Sequence, residues 1–156
     1  AVPSTSNGLA RALGTAHQCY AEIVNRRHGW RGHLWQERFW SFPMNETSLA
    51  AVTRYVLLNP VRAGLVDRAQ EWPFSSARKH LGIGQDILAD GPALESRMGD
   101  WGGLLGETEK EDELAAVRLH SATGRPMGDA RYVSEIEALL GRRIQPKPRG
   151  RPRKNP

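Results

Sequence analysis

The chain has 156 residues, 39% of them hydrophobic, with 16 Gly, 10 Pro and a formal charge of +5. That length suffices for one ordinary domain plus an appendage, and the single cysteine, Cys19, excludes an internal disulfide. No apolar run approaches the length of a bilayer span and no secretory leader is visible, so a cytoplasmic protein is expected.

The charge is unevenly distributed. Residues 1–82 carry ten Lys/Arg against five Asp/Glu, residues 83–141 five against twelve, and residues 142–156 seven against none. A basic first block, an acidic middle and a basic tail suggest a polyanion partner met at two places. The same breaks suggest three segments, at 1–82, 83–141 and 142–156.

In chain order, residues 1–7 are small and polar, and Asn7 is placed to cap a helix starting near Gly8. Leu9, Leu13, Ala16, Tyr20, Ile23 and Val24 recur at helical spacing, which predicts an amphipathic helix to about Arg27, broken by Gly29 and Gly32. Residues 33–42 are rich in aromatics and free of Gly and Pro, which predicts a strand closed by Pro43. Asn45, Thr47 or Ser48 can cap the next helix, which carries Leu49, Val52, Tyr55 and Val56 and ends by Asn59. Ser75 to Leu81 reads as one or two helical turns stopped by Gly82. Residues 83–108 hold six Gly and one Pro and read as loop, with a short helix around Ala93–Met98. A helix is predicted over about Glu109–Ser121, then a turn over Thr123–Gly128, then a helix capped by Asp129 and stopped by Gly141. These last two helices permit either a helical hairpin or a helix-turn-helix.

Tyr55 and Asn59 are the residues that point to chemistry. Four positions on a helix amount to about 1.1 turns, so phenol and carboxamide project from one face. Pro60 lacks a donor and disfavours helical geometry in Asn59, which predicts that the pair sits at a helix end. A tyrosine nucleophile beside an amide able to ligate a metal is a pair suited to cleaving phosphodiesters. The segment from Arg26 to Trp40, with Phe42, interleaves cations with five of the eleven aromatic rings. Guanidinium groups neutralise phosphates and ring faces accept unstacked bases, a combination suited to single strands. The residues marked for DNA contact here are Arg26, Arg27, Arg31, His33, Trp35, Gln36 and Arg38. For any one of the tryptophans, packing in the core is the competing reading.

Three ordered blocks carry a family resemblance: Gly32-His33-Leu34-Trp35-Gln36-Glu37-Arg38-Phe39, then Arg54-Tyr55 through Asn59-Pro60-Val61-Arg62-Ala63-Gly64-Leu65-Val66, then Trp72-Pro73-Phe74-Ser75-Ser76. Over about residues 8–82 the chain resembles the REP-associated tyrosine transposases, in the single-tyrosine branch of the HUH nucleases. Thr123-Gly124-Arg125-Pro126 and the following helix resemble the C-terminal extension of some members. The resemblance implies an α+β fold: a partial ferredoxin-like HUH nuclease domain, mostly helical with one main strand, followed by a helical extension and a disordered basic tail. It implies that Tyr55 attacks single-stranded or hairpin DNA to leave a 5′-phosphotyrosine, that Asn59 ligates a divalent metal (Mg²⁺ or Mn²⁺), and that Arg62 joins the DNA-contacting residues. Phenols have a pKa of about 10 and are poor nucleophiles at pH 7, a handicap a metal on the phosphate offsets. Because the intermediate keeps the phosphoester, the strand can be resealed without ATP.

The chain departs from the family pattern in one respect. The His-hydrophobic-His motif that supplies two metal ligands is absent; His17, His28, His33, His80 and His120 are widely spaced. A lone carboxamide is a weak ligand, so this chain by itself is not expected to bind the metal. Loss of the early strands predicts a mostly helical, marginally stable chain. In the tail, Arg149-Gly150-Arg151-Pro152 resembles an AT-hook core, with arginines entering the minor groove of A·T-rich duplex, and Arg149, Arg151 and Arg153 are marked for DNA contact; a non-specific basic tail fits the same composition. Three functions stay open: a strand-cleaving transposase, a DNA-binding remnant without catalysis, and a helical adaptor whose charge serves solubility.

Overall fold

A computed structural model describes residues 5–35, 39–86 and 92–145. Among them the regular elements are helices: α1 (Gly8–His28), α2 (Glu46–Leu57), α3 (Asn59–Arg62), a 3₁₀ turn (Ala69–Glu71), α4 (Ala77–His80), α5 (Pro92–Met98), α6 (Trp101–Gly106), α7 (Glu111–Thr123) and α8 (Ala130–Leu140). No described helix is long and apolar enough to cross a membrane.

The α+β expectation is overturned. No strand or sheet occurs among the described residues, and the described parts of 33–42 are irregular backbone. An extended segment is stable only when its N–H and C=O groups find a partner strand and its face a layer to cover. The described residues offer neither; Trp35 instead lies against α1, its indole N–H donating to the His17 carbonyl at 3.3 Å. Among the described residues parallel pairing is confined to one isolated bridge, Met44 with Met127. The partial ferredoxin-like domain with one main strand is therefore not what these residues build.

The chain divides into two compact units, Ala1–Trp40 and Ser41–Pro156. In the first, α1 runs 21 residues and buries none of them. Asn7 occupies the capping position, but its side chain caps nothing, because its backbone (φ −111°, ψ 7°) is not extended as a cap requires. At the other end Gly29, at φ 66°, takes the left-handed turn that closes the helix.

In the second unit the cap works. Asn45 Oδ1 accepts from the Ser48 N–H at 3.1 Å and from the Thr47 and Ser48 hydroxyls at 2.9 Å. The break at Pro60 is slight. Leu58 stays near helical geometry and Asn59 opens α3 with Pro60 in its first turn, where a missing N–H costs nothing. The core lies beneath this joint: Leu57, Ala69, Ala77 and Trp101 are buried, with Leu58, Val61 and Met98 packed on them. Residues from both sides of position 82 thus share one interior.

Two features hold the later helices to the earlier ones. Glu95 accepts from His80 Nδ1 at 2.8 Å and from Trp101 Nε1 at 3.0 Å, while the two rings stack with centroids 3.9 Å apart. Pro43 and Asn45 exchange backbone hydrogen bonds with Met127, at 2.9 and 3.1 Å. A Cβ on Gly128 would stand 2.5 Å from the Tyr132 ring and 2.9 Å from Asn45 Cγ, so the close approach requires glycine there. The helix α6 was not expected, since Trp101-Gly102-Gly103-Leu104-Leu105-Gly106 reads as loop. Its N-terminus is capped by Asp100, which accepts from Gly103 N at 2.9 Å, and buried Trp101 anchors it.

Candidate functional site

Tyr55 and Asn59 stand one turn apart across the α2–α3 joint, and Arg62 joins them. Its guanidinium carbon lies 4.1 Å from the centre of the Tyr55 ring, a cation–π contact. Nη2 donates to the Tyr55 carbonyl at 2.5 Å and to Asn59 Oδ1 at 3.4 Å, and Nη1 donates to Glu109 Oε1 at 2.6 Å. The spacing explains the assembly: positions 55, 59 and 62 recur at four and three, so they fall on one helical face once the chain stays near helical geometry through Leu58. Tyr55 is partly exposed and Asn59 exposed, and no hydrogen bond engages the Tyr55 hydroxyl among the described residues.

On the neighbouring face Arg54 is buried at 6% exposure, and its guanidinium holds Glu107 and Glu113 together. Glu109, Glu107 and Glu113 all come from the acidic segment, which neutralises α2 and α3 from within. Position along the chain does not reveal these pairs, since they span 47 to 59 residues. The one available signal was compositional, an acidic run following a basic block.

Asn59 by itself does not make a seat for a divalent metal. Asn59 offers a single amide oxygen, and its polar neighbour is a cationic guanidinium, which repels a dication. Among the described residues no three His, Cys, Asp or Glu side chains converge.

The other residues marked for DNA contact are distributed as follows. Arg26, Arg27, Arg31, His33 and Trp35 belong to the first unit and are exposed. Arg62 belongs to the second and is tied to Glu109, with 19% of its side chain exposed. Gln36, Arg38, Arg149, Arg151 and Arg153 lie outside the described residues. The sequence reading placed His28 and Trp30 in the basic, aromatic segment without singling them out, and did not include Glu109 or His17 among the functional residues.

Over 87 residues, 55% of its length, the chain is 31% identical to a Haemophilus influenzae protein provisionally named a REP-associated tyrosine transposase. It spans 43% of that relative's length. No protein-family model matches the chain, and no solved structure matches it. The likeness supports a relation to DNA transposases in general.

Proposed function

We propose that this chain is the tyrosine-bearing part of a DNA transposase, binding single-stranded or hairpin DNA and presenting Tyr55 as the nucleophile of strand cleavage and rejoining. The observation that carries this reading is the Tyr55–Asn59–Arg62 face, in which a partly exposed phenol sits beside a guanidinium able to take a phosphate oxygen. The likeness to a protein named as such a transposase supports it.

In the proposed step the Tyr55 oxygen bonds to phosphorus as the bond to the 3′ oxygen breaks. The phenolic proton leaves to solvent and the departing oxygen gains one, giving a 5′-phosphotyrosine and a 3′-hydroxyl. Attack by a 3′-hydroxyl reverses these changes and restores the phenol. Arg62 orients the ring, and its N–H groups not bonded to Glu109, Tyr55 or Asn59 are those left to meet a phosphate oxygen. Tyr55, Asn59 and Arg62 do not by themselves form the site of the divalent metal that the family resemblance implies.

The exposed arginines and rings of the first unit fit a second reading equally, a chain that holds DNA without cutting it. Incubation with a labelled hairpin oligonucleotide and Mg²⁺ separates the two. A covalent adduct that disappears in Tyr55→Phe supports cleavage, whereas retarded migration without adduct supports binding alone. Absence of any salt-dependent retention would remove both.

A further inference from the structure

The first unit carries an arrangement that the cleavage step does not use. His17 and His28 lie eleven residues apart on α1, close to three full turns, so they share a face roughly 16 Å apart along the axis. Each bears an indole. Trp35 stacks on His17 with centroids 4.4 Å apart and planes at 23°, and Trp30 stacks on His28 at 4.7 Å and 28°. Tyr20 flanks the first pair, 5.7 Å from the Trp35 ring.

The rings are held in place by the backbone. The left-handed turn at Gly29 lets Trp30 N donate to the Asn25 carbonyl at 2.9 Å and folds Trp30 back over His28. Asn25 Nδ2 donates to the Gly32 carbonyl at 3.1 Å and fixes the connecting loop. The Trp35 N–H is already satisfied by His17, so a ligand covering that ring strands no polar group. Yet Trp30 is 58% exposed, Tyr20 56% and Trp35 44%. Preorganised rings that stay this wet are placed for contact more than for packing.

Their surroundings select the ligand. Arg26, Arg27 and Arg31 are exposed nearby in sequence, and the one acidic side chain described in this unit, Glu22, is bonded to Gln18 at 3.0 Å. Flat apolar faces amid uncompensated cations suit unpaired bases on a phosphate backbone.

We propose that the His17–Trp35 and His28–Trp30 pairs are two base-stacking sites that hold one single-stranded DNA tract of about four or more nucleotides along α1. This deepens the DNA reading above but does not depend on cleavage at Tyr55. Each indole takes one base on its outer face, the histidine supports the inner face, and the arginines neutralise the phosphates between. Because every base has a π face, the tract is held with little sequence preference.

The test uses the full chain carrying Tyr55→Phe, without added metal, and a labelled single-stranded oligonucleotide of mixed sequence, with the same sequence as duplex for comparison. Single-strand binding is expected to quench tryptophan fluorescence. Trp30→Ala and Trp35→Ala are each expected to weaken it roughly 5- to 100-fold while leaving its salt dependence and the duplex affinity unchanged. Trp30→Phe, which keeps a ring, should stay within about threefold of the parent. Circular dichroism checks that α1 survives in Trp35→Ala; if it does not, Trp30→Ala and Trp30→Phe decide the matter. Unchanged affinity in Trp30→Ala, equal losses for single strand and duplex, or no single-strand binding at all would overturn the proposal. If the parent chain with Tyr55 intact forms no covalent adduct while tryptophan-dependent binding persists, the cleavage reading alone is removed.

Discussion

The Arg62 guanidinium sits over the Tyr55 ring at 4.1 Å while bonding the backbone carbonyl of the same residue at 2.5 Å. One side chain therefore fixes both the ring and the peptide of the proposed nucleophile, and Glu109 fixes that side chain in turn. Arg62→Ala removes all of these at once and is expected to destabilise the fold by about 2–3 kcal/mol, since both partners of the pair are mostly buried. Arg62→Lys keeps the charge but not the planar fork, and should lose a smaller part of that. Tyr55→Phe keeps the ring under the guanidinium and should change stability by less than about 0.5 kcal/mol. Urea denaturation of the three variants checks the order; a strongly destabilised Tyr55→Phe would mean that the hydroxyl is structural.

Arg54 and its two glutamates predict an asymmetry. The arginine is buried, whereas Glu107 has 68% of its side chain exposed and Glu113 32%. Glu107→Gln with Glu113→Gln leaves a buried guanidinium without an anion and is expected to cost about 3–5 kcal/mol. Arg54→Met leaves the carboxylates able to rehydrate and should cost less, about 2 kcal/mol or below. Thermal melts of the two variants in the same buffer decide the point, and equal losses would contradict it.

The Glu95 carboxyl is held below the ordinary range, chiefly by its hydrogen bond with His80, with further help from Trp101 and from charge on His80 and Lys79, against burial that raises it. A folded-state pKa that is depressed stabilises above the unfolded value and loses that stability as pH falls through the folded one. Acid should therefore weaken the fold below about pH 4.5. Glu137, lowered by the backbone N–H groups of Ile144 and Gln145, acts in the same direction. In Glu95→Gln the melting temperature should be lower at pH 6 and should fall less steeply between pH 5 and 3 than in the parent. A parallel fall would show that Glu95 is not among the groups responsible.

Gly128→Ala tests the joint between the entry to α2 and the entry to α8. The new methyl meets Tyr132 and Asn45 at distances no real Cβ shows, and the displaced Asn45 is the cap of α2. A loss of about 1–3 kcal/mol is expected. Asn45→Ala alone should cost about 1 kcal/mol. The two should combine less than additively, because each removes part of the same arrangement.

Local chemistry was legible along the chain. A cap for α2 at Asn45, Thr47 or Ser48, of which the structure uses Asn45, the cap at Asp129 with its bond to Tyr132 N at 2.8 Å, and the glycine stops at Gly29 and Gly141 follow from residue type. The pairing of Tyr55 with Asn59 on one face follows from helical periodicity. Two elements misled. Residues 33–42 have strand composition, yet their described parts form no strand, and α6 has loop composition but a buried tryptophan and an aspartate cap. In both, packing outweighed propensity.

By itself the sequence determined several helix starts and stops, and that a phenol and a carboxamide lie one turn apart, because caps, glycines and a period of 3.6 act within a few residues. Only the tertiary structure decided that Arg62 is shared between Tyr55 and Glu109, that Arg54 is neutralised from within, and that two histidines carry tryptophans on the open side of α1. Those contacts depend on how the backbone folds back through space, and most of them join side chains too far apart along the chain for local spacing to reveal.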